Sequence, residues 1–231
     1  MRNPSSSCSV PQRNSRNRNA GDSPRRAADA NAGRGFGGRG SSLGTGRRIL
    51  YVEGPGDRGI LRAWCYRLLP TQGPALLRNS VILGGRRPER AIDHFARAAS
   101  EAQGVRGLCV LDRDDEHAWP APSIPGLEFF TWGRRHIESY LLVPAAVMRA
   151  TGSAATDAPR LERALRDHLP SESNAGALRQ LDAKRLLGPN GPLARALGRP
   201  LPLAQIARVT REEELHPDVL DLFVRLRALA G

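Results

Sequence analysis

Three short apolar runs constrain this chain most: ILYV at 49–52, VIL at 81–83 and GLCVL at 107–111. Each is short and rich in Val, Ile and Leu, as expected of a strand covered on both faces. Between them lie stretches with helical spacing. In DRGILRAWCYRLL, Leu61, Trp64, Cys65 and Leu68 recur on one face. In PERAIDHFARAASEA, Pro88 suits a first helical turn, and Ile92, Phe95, Ala96 and Ala99 share a face. LEFFTW, after the proline-rich APSIPG, reads as a fourth strand. Strands alternating with helices predict right-handed crossovers and an α/β fold, with a mostly parallel four-stranded sheet flanked by helices.

Beyond Tyr140 the pattern turns helical. Thr210 with Glu213 has capping-box spacing, and Pro217 opens a helix whose buried stripe is Val219, Leu222, Phe223 and Leu226. The expected organisation is a basic tail at 1–46, a core at 47–143 and a C-terminal helical extension at 144–231.

The tail is nearly devoid of aliphatic side chains, Val10 and Leu43 excepted, so it is expected to be disordered. Residues 1–48 carry ten arginines against Asp22 and Asp29, a net +8 of the chain's +12. The basic signal is therefore concentrated in the tail. Its GRGFGGRG piece has the composition of an RGG-type nucleic-acid segment, with Phe36 able to stack on a base; a plain solvated tail is the other reading. The tail lacks the apolar segment of a secretory signal and the Leu, Ile and Val of an amphipathic transit peptide. Cys8, Cys65 and Cys109 are odd in number and form no CxxC pair, which points to a reducing, cytoplasmic setting. No apolar run reaches membrane-spanning length.

Two strands end in acids. YVEGPGD leads from a strand through Glu53 and a Gly-Pro-Gly turn to Asp57, and GLCVLDRDDEH runs straight into Asp112, Asp114, Asp115 and Glu116. In extended backbone Asp112 and Asp114 face the same way. Ligands bind at the carboxyl ends of strands in open α/β sheets, and acids gathered there repel one another unless a cation joins them. Hard oxygen donors point to Mg²⁺ or Mn²⁺. Asp57 has a second reading as a helix N-cap, and Asp115 and Glu116 as solvated loop charges.

VEGPGD at 52–57 and LDRDD at 111–115 resemble the two signatures of the TOPRIM domain. WGRRHIESYLLVP at 132–144 and DAKRLL at 182–187 resemble later blocks of the OLD-type (overcoming lysogenization defect) nucleases. The resemblance covers roughly 47–225 and implies a TOPRIM-like core acting as a metal-dependent endonuclease on DNA, or on RNA such as tRNA. It implies metal ligation by Glu53, Asp57, Asp112, Asp114 and Glu138, and a catalytic role for Lys184, the only lysine in the chain. Glu53 would serve as ligand, general base or both. Lys184 also reads as a solvated helix residue, and Glu138 as a polar helix end. Arg134, Arg135 and His136 would hold the nucleic-acid backbone, which sets position and not sequence; a solvated turn is their other reading.

One departure stands out. OLD-type nucleases carry an ATPase domain ahead of the TOPRIM, whereas no GxxxxGK[ST] occurs here. The resemblance then implies either an ABC-type ATPase partner in trans, as in two-gene anti-phage defence systems, or a nuclease acting alone. A homo-oligomer stays open. Two rival readings remain: a haloacid-dehalogenase-type phosphatase, which also uses a strand followed by DxD, and a non-catalytic metal- and nucleic-acid-binding docking module.

Overall fold

The computed structural model describes residues 46–113, 120–152, 157–171 and 173–231. Asp114, Asp115 and Glu116 lie outside the described residues.

The central strands are β1 (Arg48–Val52) and β3 (Arg106–Leu111), whose apolar runs are buried almost throughout. They pair in parallel, with Tyr51 opposite Cys109 and Val52 opposite Val110. At one edge lies β2 (Val81–Ile82), half-buried and only two residues long; at the other lies β4 (Leu127–Thr131). All pairings are parallel, and the order is β2-β1-β3-β4. The chain steps from β1 outward to β2, then crosses back over β1 to β3. The direction of winding therefore reverses between β1 and β3, where the fold opens a crevice at the carboxyl ends.

Side chains alternate across the sheet with the period of two that extended backbone requires. Ile49, Tyr51, Cys109 and Leu111 face α3 (Pro88–Glu101), meeting Ala91, Phe95 and Ala98. Leu50, Val52, Leu108 and Val110 face the other way, into a larger apolar cluster. That cluster takes Leu61 and Trp64 from α1 (Pro55–Leu68) and Leu76 and Leu77 from α2 (Gly73–Arg78). It continues without interruption into the C-terminal helices, so core and extension share apolar packing.

After β4 a short 3-10 turn, Ile137–Leu141, leads to α4 (Pro144–Thr151), α5 (Ala158–His168), α6 (Ala175–Gln180) and α7 (Ala183–Leu187). Then come α8 (Pro192–Leu197), α9 (Leu203–Val209) and α10 (Pro217–Ala230). The expected stripe on α10 is buried in full: Val219, Leu222, Phe223 and Leu226, joined by Leu229. Among the described residues no helix is long and apolar enough to cross a membrane.

Three local expectations are corrected. Asp57 is not the N-cap of α1: Gly54 is, because Pro55 opens the helix, and Asp57 falls in the first turn. The buried face of α3 is Ala91, Phe95 and Ala98, whereas Ala96 and Ala99 are exposed and Ile92 is half-buried. Small residues let the helix lie close to the sheet, which rotates Ile92 to the margin. Thr210 does not open a capping box. Its hydroxyl donates back to the Ile206 carbonyl at 2.8 Å, ending α9, and the Glu214 carboxylate instead receives the Arg211 N–H at 2.8 Å.

One glycine is required by the approach to β4. Gly126 has φ +84°, and a Cβ there would stand 2.9 Å from the Val105 carbonyl oxygen. Gly126→Ala is expected to cost about 2 kcal/mol. Urea denaturation monitored by circular dichroism checks this; unchanged stability would contradict it.

Candidate functional site

The two central strands end within one residue of each other and deliver two carboxylates to one place. Glu53 follows β1, Asp112 follows β3, and both are buried. Glu53 Oε1 accepts the Asp112 backbone N–H at 2.8 Å. The sequence pattern that placed an acid after each strand thus yields a direct link between strand ends.

Asp112 is also the junction for the rest of the site. Its Oδ1 accepts the Ile137 N–H at 2.9 Å, which fixes the 3-10 turn against β3. Its Oδ2 accepts from Lys184 Nζ at 2.6 Å. Lys184 reaches it because α7 is capped by Asp182, whose side chain accepts the Arg185 N–H at 2.9 Å. Ala183, Leu186 and Leu187 bury the other face of α7. Burial opposes the ammonium charge, but the Asp112 hydrogen bond and the charges of Asp112, Glu138 and Asp57 outweigh it and raise the Lys184 pKa.

Two further acids border this pair. Asp57 turns back onto its own helix start, its Oδ2 accepting the Gly54 N–H at 2.6 Å. Burial, then the charge of Asp112, pushes its pKa up to about 6. Glu138, on the 3-10 turn, is 9% exposed, and its Oε2 has no hydrogen-bond partner among the described residues. Burial raises its pKa to about 7, while Lys184 partly offsets that rise. The site is therefore a carboxylate cluster with more acid than the Lys184 ammonium alone neutralises.

Next to Asp112 in sequence, Arg113 joins Arg86, Arg135 and Arg179 in a hydrogen-bonded network. Arg86 Nη1 donates to the Arg113 carbonyl at 2.8 Å, and Arg113 Nη2 donates to the Arg179 carbonyl at 3.1 Å. The Arg113 N–H reaches the Arg135 carbonyl at 3.1 Å, and the Arg135 N–H reaches the Arg179 carbonyl at 3.0 Å. Arg134 instead turns toward the 3-10 turn, its guanidinium 5.3 Å from the centre of the Tyr140 ring and its Nη1 3.0 Å from the Ser139 carbonyl. His136 is buried, with Nδ1 4.0 Å from Asp182 Oδ1. Burial and then the Lys184 charge lower its pKa, so it presents no exposed cation at neutral pH.

Sequence reasoning missed the Ile137 N–H, the Asp182 cap and the parts played by Arg86, Arg113 and Arg179. A backbone donor leaves no trace in residue type. Only Asp182, two residues before Lys184, offered a readable signal.

Among the described residues no three His, Cys, Asp or Glu side chains converge as a ready-made metal cage. The donor chemistry nevertheless suits a hard divalent cation. The cluster is all oxygen, and Glu138 keeps a buried oxygen without a partner. A cleft of about 1100 Å³ opens beyond the 3-10 turn between Arg134, Tyr140, Arg166 and His216, but none of these acids lines it.

The raised acid gives a pH test. An unfolded glutamate titrates near ~4.3, whereas Glu138 holds its proton up to about 7. Between those values the native state binds the extra proton, so this carboxyl weakens stability as pH rises through the window. Without divalent cations, Glu138→Gln should exceed wild type in stability by about 1–3 kcal/mol at pH 8, with the gap closing only below about pH 4. A gap independent of pH, measured by urea denaturation, would contradict the burial argument.

Comparison of the chain with family models, with curated proteins and with solved structures gives no match.

Proposed function

We propose that this chain is a Mg²⁺- or Mn²⁺-dependent endonuclease that hydrolyses phosphodiester bonds in DNA or RNA. The observation that carries the reading is the meeting of Glu53 and Asp112 at the ends of adjacent parallel strands, with Lys184 bonded to Asp112 and Glu138 close by in charge. The crevice between β1 and β3 is where an open α/β sheet binds its ligand.

Glu53, Asp112 and Glu138 would hold the cation, joined by Asp57 and by Asp114 from the sequence motif. A bound divalent cation supplies a lowered pKa for water and charge neutralisation on the phosphate. The chain's own groups divide the remaining work. Lys184, a compact ammonium bonded to Asp112, would offset charge building on a phosphate oxygen. Glu138, poised to gain or lose a proton near neutrality, is suited to proton transfer as well as to ligation. Glu53 is held in place by the Asp112 N–H. These networked arginines, with Arg134, would hold flanking phosphates without reading sequence. An ABC-type ATPase acting in trans, in anti-phage defence or DNA processing, is part of this proposal and rests on the motif resemblance alone.

The full chain incubated with plasmid, single-stranded DNA and tRNA provides the test. Cleavage is expected with Mg²⁺ or Mn²⁺ and not with EDTA, and Asp112→Asn should lower it by at least about a hundredfold. Cutting that persists in EDTA or survives Asp112→Asn would overturn the mechanism. Hydrolysis of p-nitrophenyl phosphate without nucleic-acid cutting would indicate a phosphatase, and binding without cutting a docking module.

A further inference from the structure

Helix α1 begins at the acid site and carries a basic stripe away from it. Asp57 lies in its first turn, Arg58 is the next residue, and Arg62 and Tyr66 follow at intervals of four. At 1.5 Å per residue these three mark a line of roughly 12 Å along the outer face of the helix. All three are exposed, whereas the opposite face buries Ile60, Leu61, Ala63, Trp64 and Cys65 in the core.

The stripe borders a cleft of about 310 Å³ between α1 and α2. Arg58, Arg62 and Arg78 line it together with Tyr66, Pro74 and Leu77, and no acid does. Tyr66 is 57% exposed, one of few large apolar side chains left open to solvent among the described residues. The Arg208 guanidinium, from α9, stands 4.6 Å from the centre of its ring. An exposed aromatic braced by one arginine and bordered by three more combines a π-face with phosphate-binding charge. That pairing is how proteins hold unpaired nucleic-acid strands.

We propose that this face of α1 is a binding track for single-stranded nucleic acid, with Arg58, Arg62 and Arg78 on phosphates and Tyr66 under a base. It rests on the nuclease reading for its substrate class, and it narrows that class to strands with unpaired bases beside the cleavage point. The arginines alone would also suit an acidic protein segment. The open Tyr66 ring and the continuity of the stripe with the acid site favour the polynucleotide.

Fluorescence anisotropy of the full chain with labelled oligothymidylate, in EDTA and across a salt series, isolates binding from hydrolysis. Tyr66→Ala should weaken the single strand about tenfold, while Tyr66→Phe keeps the affinity and a duplex of equal length is little affected. Arg58→Gln with Arg62→Gln should make the salt dependence shallower by about 1.4 in log–log slope. These side chains are exposed, and an unchanged melting temperature verifies that each variant folds. Oligothymidylate affinity and slope unchanged in the variants would overturn the track. So would polyglutamate competing as well as the oligonucleotide with Tyr66 indifferent, which would mark an acidic partner. Loss of binding in the variants, in a protein that cuts nothing with any metal, would uphold the track and defeat the nuclease reading. Metal-dependent cutting with Tyr66→Ala binding normally would do the reverse.

Discussion

Asp112 is the point on which the site depends. Its backbone N–H goes to Glu53, one carboxylate oxygen to the Ile137 N–H and the other to Lys184. Through these three bonds the ends of β1 and β3, the 3-10 turn and α7 are held in one arrangement. A buried carboxylate left without such partners would be strongly unfavourable. The C-terminal helices are thus tied to the acid cluster by charge as well as by apolar packing. Lys184 comes from a segment more than seventy residues downstream of the carboxylate it neutralises.

The same arrangement leaves an electrostatic imbalance. Glu138 and Asp57 are both held above their usual pKa, with burial the leading cause in each. Lys184 eases but does not cancel this. A protein that keeps surplus acid beside the ends of its central strands gives up stability there, and functional sites are where such trade-offs are concentrated. Under the nuclease reading a divalent cation would remove the imbalance and turn it into phosphate binding.

How far the sequence foreshadowed this differs residue by residue. Strands β1 and β3 were readable because burial on both faces demands unbroken apolar runs, and each run stops at an acid. The stripe on α10 was readable because it packs as a regular helical face. The face of α3 was displaced by one residue, since Ala91 and Ala98 pack closer than Ile92 can, and hydrophobicity alone does not register fit. Helix α2 is one short run within a stretch dense in Gly, Pro and Asn, where periodicity has no room to show. In the site, Asp112 is hydrogen-bonded to both Glu53 and Lys184. His136 reads as a basic surface residue but is buried, because the turn that carries it is drawn down onto Asp112.

The central claim is that the acids at the ends of β1 and β3 accept a divalent cation. Anomalous diffraction from crystals grown with Mn²⁺ tests it without reference to activity. A single strong peak is expected within about 2.0–2.4 Å of an Asp112 oxygen and of a Glu53 or Glu138 oxygen, and it should vanish in Asp112→Asn. Ordered acids with no peak between them, or manganese bound only elsewhere on the chain, would contradict the account.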